Sequence, residues 1–407
     1  MISPLKLSCA VLVASLAACA NDESGQPIGG ETPDPSVLPT PMPEDGMMPV
    51  QVPVTEKFKP TPEQVLMYMQ YIGPALLGRT LSDAEIERIT KEGAASMKPL
   101  FESWFGEPGF AEAVRGMMEL KLSASGKRGD VDFGLAGYLV RHIVQNKMPW
   151  STVLTSQTCY DAGDAPIPCD TGAPYTAGVL TTRGFLAGNE GRFNLSRAHT
   201  MLKTFMCRDY PHEDELQPKV DTTKLKLMFR AVSAEDQKVA EAAGGFGNGL
   251  ACYTCHGQFS LHAQPFVKFD KTGLYVPNAT GLQSPTGQLG ESTDDTAASH
   301  WEAADAAKLE ASQWFSHEIT GLAEGAAVIS KHDKFRECTL RNLLDLAIGV
   351  DASYDTGLKG LKVDPGFLSE VASSVSSTVP DPTIQALATV LYADSRVIAT
   401  TINGMKR

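Results

Sequence analysis

The feature of the sequence that most constrains the fold is a run of five residues, Cys252-Tyr253-Thr254-Cys255-His256. This C-x-x-C-H pattern is the attachment signature of a c-type haem. Two thiols three residues apart can each form a thioether with one vinyl group of a haem, and the adjacent histidine then supplies an axial imidazole to the iron. We therefore expect Cys252 and Cys255 to hold one haem c covalently, with His256 as an iron ligand.

Three other interpretations of this motif have weaker support. A thioredoxin-like redox pair is typical of a βαβ context, which the sequence does not show. A structural zinc site needs a second pair of ligands at suitable spacing, and none is visible. A simple disulfide between Cys252 and Cys255 leaves His256 unexplained. Because the motif occurs once in the sequence, we expect a single haem.

The sequence leaves the sixth ligand of the haem iron open. His262 is near the motif, but six residues is a short connection for a side chain that must reach the opposite face of the haem. Met206 lies upstream in a candidate helix, where core packing is the commoner role of a methionine. A methionine ligand would raise the reduction potential, whereas an open position would permit chemistry on a small molecule. The other candidates are Met201, Met228, His199, His212, His300, His317 and His332.

The N-terminal residues have the character of a bacterial lipoprotein signal. An apolar run, 7–18, is too short to span a bilayer as a helix and ends in Leu16-Ala17-Ala18-Cys19, which resembles a lipobox. We expect removal of the signal peptide 1–18 and acylation of Cys19; an ordinary secretory signal is the alternative. Residue 20 is alanine rather than the aspartate of an inner-membrane retention signal. The sequence therefore predicts an outer-membrane lipoprotein, on the periplasmic or the cell-surface face.

Residues 19–60 are predicted to be a disordered tether between the lipid and the folded body. Nine prolines fall between Pro27 and Pro60, among seven acidic residues of the segment 20–60. Such a segment cannot bury enough apolar area to offset the entropy lost on ordering. The whole chain has 35 basic and 48 acidic residues. This balance argues against a nucleic-acid partner, which would require a basic face.

The remainder of the chain is predicted to be a mostly α, multi-helix body that carries the haem. Capping boxes start helices at Thr61-Pro62-Glu63-Gln64 and at Ser82-Asp83-Ala84-Glu85. Trp104 and Trp150 are expected in the core. Further helices are predicted over Phe110 to Leu122, Leu135 to Asn146, Ser233 to Ala243 and Trp301 to Ile319, with a last long helix that Asp381-Pro382 caps and that ends at Asn403-Gly404.

The four remaining cysteines are predicted to form two disulfides. Cys159 and Cys169 flank a polar loop, and a disulfide that closes such a loop is natural in an oxidising compartment. Cys207 and Cys338 are then left over and are paired by elimination.

Several stretches outside the motif share the pattern of one family. They are 72–86 (IGPALLGRTLSDAEI), 139–156 (LVRHIVQNKMPWSTVLTS), 177–187 (AGVLTTRGFLA), 269–273 (FDKTG) and 335–349 (FRECTLRNLLDLAIG). With the C-x-x-C-H run they resemble the planctomycete-type exported cytochrome c proteins, also common in myxobacteria, in which helical domains of unknown function flank one haem domain. The resemblance implies an N-terminal helical domain at 61–150, a haem domain at 151–290 and a C-terminal helical domain at 291–407. It also supports the pairing of Cys207 with Cys338, because both match family cysteines.

Three functions fit these features. A one-electron carrier that meets a redox partner protein follows from the motif with the fewest added assumptions, and the acidic balance favours a basic-faced partner. A haem enzyme, such as a peroxidase or a small-molecule oxidoreductase, would need an open iron position and a nearby acid or base, for which His262 is a candidate. A surface binding protein with an accessory haem is the third.

Overall fold

The structure is a computed structural model that describes residues 58–190, 194–208, 261–277, 308–348 and 365–405. These residues all belong to the compact unit Val50–Arg407, and the other unit, Met1–Pro49, lies wholly outside them. Within the described residues the fold is a mostly helical body of many helices, which confirms that part of the predicted fold class. The motif 252–256, the predicted helix 233–243, and Cys19 with nearly all of its tether lie outside the described residues.

The first helices begin where the sequence supplies capping side chains. Thr61 accepts a hydrogen bond from the Gln64 backbone N–H, while the Gln64 side chain accepts one from the Thr61 backbone N–H. Ser82 and Glu85 make the same reciprocal pair. Both predicted capping boxes are therefore confirmed. The helices are α1 (Pro62–Leu77), α2 (Asp83–Glu92), α3 (Met97–Trp104) and α4 (Pro108–Lys121).

The middle of the described chain alternates short hairpins with helices. Strands β1 and β2 form one antiparallel pair, and β3 and β4 form another. The second pair lies inside the disulfide Cys159–Cys169, whose Cα atoms are 5.1 Å apart. The elements are β1 (Lys127–Arg128), β2 (Val131–Asp132), α5 (Leu135–Gln145), α6 (Thr152–Thr155), β3 (Cys159–Tyr160), β4 (Pro166–Ile167), α7 (Arg183–Gly188) and α8 (Leu195–Met206).

The C-terminal part of the described chain starts with a hairpin and continues as helices. Its elements are β5 (Ser312–Trp314), β6 (His317–Ile319), α9 (Leu322–Lys331), α10 (Asp333–Ile348), α11 (Pro365–Thr378), α12 (Ile384–Ala393) and α13 (Ser395–Met405). The longest of these helices, α10, packs against α1, α4, α8, α11 and α12. No described helix is long and apolar enough to cross a membrane.

The predicted helix over Trp301 to Ile319 is wrong in its described part. Residues 312–319 form the antiparallel hairpin β5–β6, in which Ser312 pairs with Ile319 and Trp314 with His317. The hairpin buries its apolar side better than a helix would, because the buried residues Ser312, Trp314 and Ile319 all lie on one face of the paired strands.

The predicted last long helix is two helices, α12 and α13. Its N-cap is Thr383, whose side chain accepts from the Ala386 N–H, rather than Asp381-Pro382. Asp394 breaks the run in an extended conformation, and its carboxylate accepts from the Arg396 N–H at 2.8 Å. The second helix therefore begins with a cap of its own, which the continuous apolar spacing concealed.

One hydrophobic core joins the described segments. The Tyr68 hydroxyl in α1 donates to the Tyr392 carbonyl in α12, and the Tyr392 hydroxyl donates to the Leu343 carbonyl in α10. Trp104 and Trp150 are 0% and 3% exposed, so their predicted core positions are confirmed. Helices from 61–150 and from 291–407 thus share one core, while the domain bounds themselves stay a prediction.

Candidate functional site

The candidate site is defined by the two ends of the segment 209–260, which contains Cys252, Cys255 and His256. These three residues lie outside the described part of the chain. The residues on either side of the segment are described, and their contacts fix the positions of its two ends.

The described chain before the segment 209–260 ends beside a disulfide. Helix α8 ends at Met206, and Cys207 adopts a left-handed conformation with φ of 49°. The predicted disulfide between Cys207 and Cys338 is present, with Cα atoms 5.2 Å apart, and it joins this point to α10. Cys207, two positions before the start of the segment 209–260, is therefore held covalently to the longest C-terminal helix.

The described chain after the segment 209–260 begins against the hairpin β5–β6. The Leu261 carbonyl accepts two hydrogen bonds, one from the indole Nε1 of Trp314 at 2.8 Å and one from the Ser312 hydroxyl at 2.6 Å. Trp314 itself is fully buried. The first described residue after the segment is thus held by β5.

Both ends meet at the ring of Phe315. The Arg208 guanidinium carbon lies 5.9 Å from the ring centre of Phe315, and the His262 imidazole centre lies 5.2 Å from it. On a further side, His332 lies 5.1 Å from the same ring. We call Arg208, His262, Trp314, Phe315 and His332 the Phe315 junction. Residues 54 positions apart in the sequence, 208 and 262, therefore lie near the same aromatic ring.

A tight turn presents Phe315 to this junction. Phe315 and Ser316 have φ values of 46° and 70°, so both central residues of the two-residue hairpin are left-handed. This is the type I′ geometry, which favours asparagine and glycine and is costly for a bulky side chain. Such conformations persist where the surroundings determine them, and they concentrate at functional sites.

The hairpin packs closely against α9 because residue 325, which faces Trp314, is a glycine. A Cβ atom built on Gly325 would overlap the six-membered ring of Trp314. Glycine therefore allows the indole to lie directly on the helix, where its N–H reaches the Leu261 carbonyl. The position of the chain after the segment 209–260 depends on this close approach.

The imidazole of His332 is oriented by a backbone hydrogen bond at the start of α10. Its Nδ1 accepts a hydrogen bond from the Lys334 backbone N–H at 3.1 Å, at the start of α10, so the neutral imidazole carries its proton on Nε2. Burial lowers the pKa of His332, the charge of Arg208 adds to this effect, and Asp333 opposes it. His332 and Arg208 therefore lie near the same ring, and the pKa of His332 is below its usual value.

The residues after His262 are fixed by a buried arginine. Arg197 of α8 is 1% exposed. It donates to the carbonyls of Leu186, Phe269 and Asp270 and to the Asn194 side chain. Burial lowers its pKa to about 10. Four oxygen partners offset the cost of burying this charge.

The run 269–273, one of the stretches behind the family resemblance, forms a turn. The Asp270 carboxylate accepts from the N–H groups of Thr272 and Leu274 at 2.8 and 2.9 Å. Gly273 has φ of 79°, and a Cβ there would lie 3.0 Å from the Arg183 backbone. The aspartate and the glycine are thus required by the turn, and the described contacts of this run are structural.

A buried carboxylate lies near the same segment. Glu310 is 8% exposed and accepts hydrogen bonds from the hydroxyls of Tyr175 and Tyr275, while the Lys268 ammonium lies 3.4 Å from it. Burial together with the charge of Glu310 raises the pKa of both tyrosines. The cluster links the segment 261–277 to the residues that precede β5.

The candidates for the sixth ligand occupy different surroundings. His262 is half-buried against the rings of Trp314 and Phe315, whereas Met206 is 2% exposed in the hydrophobic core. Their roles as ligands stay predictions. Of the others, Met201 is a core residue, His199 is half-buried and His317 is exposed, while Met228, His212 and His300 lie outside the described residues. Within the described ranges no group of three or more His, Cys, Asp or Glu side chains could hold a metal ion.

The sequence did not reveal Phe315, Trp314 or Arg208 as site residues. The turn Phe315-Ser316 carries none of the asparagine or glycine signals of a two-residue hairpin. No family model, no curated protein and no solved structure matches the chain. The resemblance to the planctomycete-type cytochrome c family therefore stays a prediction.

Proposed function

We propose that this protein is an exported c-type cytochrome that transfers single electrons through one covalent haem. Cys252 and Cys255 hold the haem and His256 binds its iron. The acceptor and donor are redox partner proteins that meet the haem outside the cytoplasm.

The observation that carries the proposal is that the disulfides leave Cys252 and Cys255 unpaired with other cysteines of the described chain. The chain has eight cysteines, and four of them are taken by the disulfides Cys159–Cys169 and Cys207–Cys338. Cys252 and Cys255 remain as a pair beside a histidine, at the spacing that haem attachment needs. Disulfides form and persist outside the cytoplasm, which is also where bacteria attach haem c.

The described residues nearest to the motif fit a haem. Six residues span at most about 22 Å, so His262 and the rings around it are within that reach of His256 in any conformation of the chain. The Phe315 junction offers aromatic and apolar surface with an imidazole in it. Haem pockets are tuned by polarity, hydrogen-bond donors and access of this kind.

When bound, the haem supplies a one-electron couple, and the protein's own residues determine its surroundings. The disulfide Cys207–Cys338 and the Leu261–Trp314 hydrogen bond hold the two ends of the segment that contains the motif. The junction then limits how far His262 can move. Fixed surroundings of this kind suit electron transfer, because the iron site needs little rearrangement between its two oxidation states.

A haem enzyme is the second candidate function, and the Phe315 junction is the observation that favours it. His262 and Arg208 lie on the same aromatic ring, within about 11 Å of each other. An imidazole and a guanidinium beside an open iron position would provide a base and a positive charge for peroxide chemistry. The two candidates differ in the coordination of the iron.

The spectrum of the reduced protein separates the two candidates. We expect the protein, made in a host with haem-attachment machinery, to show a six-coordinate low-spin iron that CO does not change. A high-spin iron that binds CO and reacts with peroxide would favour the enzyme. His262→Ala should convert the spectrum to high spin if His262 is the sixth ligand, whereas His317→Ala, which removes an exposed histidine of β6, should leave it unchanged.

The proposal includes a lipid anchor at Cys19 in the outer membrane. Its support is the lipobox-like sequence alone. Cys19→Ala should move the protein from the membrane fraction to the soluble periplasmic fraction. Retention of the variant in the membrane would contradict acylation at this residue without bearing on the haem.

A further inference from the structure

Strand β5 directs both of its buried side chains at one backbone carbonyl. Ser312 and Trp314 are the two inward-facing residues of β5 and are 9% and 0% exposed. The Ser312 hydroxyl and the Trp314 indole N–H donate to the Leu261 carbonyl at 2.6 and 2.8 Å. A carbonyl oxygen has two lone pairs, so the two donors occupy its full capacity. We call Leu261, Ser312 and Trp314 the Leu261 contact.

The sequence leaves the Leu261 carbonyl available for this contact. Residues 261–263 are helical, and Pro265 is the fourth residue after Leu261. In an α-helix a carbonyl accepts from the N–H four residues later, and proline has no N–H to give. The Leu261 carbonyl must therefore find its donors outside its own helix, and β5 supplies two of them.

The composition of β5 favours a positioning role over packing alone. Ser312 pairs across the hairpin with Ile319, and both side chains are buried. Packing alone would be served by an apolar residue at 312, as it is at 319, because a buried hydroxyl is costly unless it is hydrogen-bonded. The hydroxyl of Ser312 gains its hydrogen bond at Leu261, so this serine fixes the position of the Leu261 backbone.

The same part of the chain also holds the residues that follow Leu261. The Trp314 ring centre lies 5.7 Å from the imidazole centre of His262. The side-chain amide of Gln264, which is fully buried, donates to the carbonyl of Leu309, three residues before β5. Trp314 thus fixes the backbone at residue 261 and borders the side chain of residue 262.

We propose that Ser312 and Trp314 are positioning residues that keep the haem iron six-coordinate. They do so by holding the chain that carries both His256 and His262, and the inference rests on the proposed function because it requires the covalent haem. Leu261 follows His256 by five residues, which span at most about 18 Å. Groups that orient a metal ligand from behind typically change metal affinity by about tenfold or more when they are removed.

Spectra of the haem-loaded full protein with and without CO test this role. Trp314→Phe keeps an aromatic ring but removes the N–H donor, and Ser312→Ala removes the hydroxyl. We expect each change to lower the CO concentration needed for half-saturation of the reduced protein by about tenfold and to increase its high-spin fraction. Ser312→Thr keeps a hydroxyl and should behave as the unmodified protein.

Trp150→Phe is the matched control. The Trp150 side chain is 3% exposed, and its indole N–H donates to the Thr339 hydroxyl at 2.9 Å. This variant also loses one buried indole hydrogen bond, but none of the hydrogen bonds described for Trp150 reaches the segment 261–277. We expect it to destabilise the protein in urea, as Trp314→Phe does, and to leave CO binding unchanged.

The possible failures of this inference differ from a failure of the proposed function. Covalent haem with a CO response that neither Trp314→Phe nor Ser312→Ala changes would overturn the positioning role and leave the cytochrome intact. Equal responses of Trp150→Phe and Trp314→Phe, or an unmodified protein that binds CO as readily as the variants, would also overturn it. Absence of covalent haem from the unmodified protein would overturn both the inference and the proposed function.

Discussion

The imidazole of His262 and the ring of Phe315 lie 5.2 Å apart, centre to centre. His262 is six residues after the histidine of the C-x-x-C-H motif, and Phe315 is the tip of a hairpin more than fifty residues further along the chain. Because Arg208 contacts the same ring, the chain that contains the motif starts and ends at one aromatic side chain. Arg208 and His262, on either side of the segment 209–260, are thus brought near one ring by the fold.

The left-handed backbone of Phe315 predicts that a glycine variant is more stable than an alanine variant at this position. Phe315→Ala and Phe315→Gly lose the same ring contacts, but only glycine adopts φ of 46° without strain. We expect the glycine variant to be more stable than the alanine variant by about 1 kcal/mol in urea unfolding. An alanine variant of equal or higher stability would show that the left-handed turn is incorrect.

The contact between Trp314 and Gly325 predicts a large effect from one methyl group. Gly325→Ala must displace the indole, so it should lower the free energy of unfolding by about 1–3 kcal/mol. Gly116→Ala in α4 is the control, since nothing lies near a Cβ there, and it should stabilise the protein by about 0.5–1 kcal/mol. Equal effects of the two substitutions in urea unfolding would contradict the close approach.

The two disulfides should contribute unequally to stability. Cys159–Cys169 closes a short loop, with a sequence separation of 10, whereas Cys207–Cys338 spans 131 residues. Loop entropy predicts losses of about 3 and about 5 kcal/mol when each pair is replaced by serine. Urea unfolding of the two double variants measures the order, and a larger loss for Cys159/Cys169 would contradict it.

An ion pair near the N-terminus of the described chain predicts that the free energy of unfolding depends on pH. Arg79 lies 2.9 Å from Glu85, and this contact is the main cause that lowers the pKa of Glu85 to about 2. Because the folded pKa is below the unfolded value, the stabilisation is present above about pH 4.5 and is lost as the pH falls towards 2. Glu85→Gln should therefore destabilise the protein at neutral pH and much less at pH 3.

The expected loss for Glu85→Gln at neutral pH is about 1–2 kcal/mol, below the full linkage value because the Arg79 side chain is 37% exposed. Glu87→Gln, on the exposed face of the same helix, is the control and should change little. Unfolding in urea at neutral and acidic pH measures both. A Glu85→Gln loss that is the same at pH 7 and pH 3 would refute the role of the ion pair.

Local signals allowed much of the helical fold to be predicted. The capping boxes at Thr61 and Ser82 involve residues three positions apart, so the sequence displays them directly. The disulfides also followed, since few cysteines remained to be paired. The prediction of a single last helix failed because two local signals conflict. The apolar spacing of 384–398 continues across Asp394, whereas the Asp394 side chain caps a new helix.

The Phe315 junction could not be predicted, because its contacts are long-range. Arg208, His262 and Phe315 come from separate parts of the chain, and their meeting depends on Trp314 lying on Gly325. That contact also explains the wrong helix over the described residues 312–319, since helical periodicity says nothing about a distant glycine. The motif itself was visible at once, because haem attachment needs only five consecutive residues.

The most direct test of the account is acid–acetone extraction of the purified protein, followed by its intact mass. Protein made in a host with haem-attachment machinery should keep its haem after extraction and gain the mass of one haem, and the double variant Cys252→Ala/Cys255→Ala should gain none. Haem that extracts completely from the unmodified protein, or a mass without haem, would contradict covalent attachment at Cys252 and Cys255 and with it the proposed cytochrome.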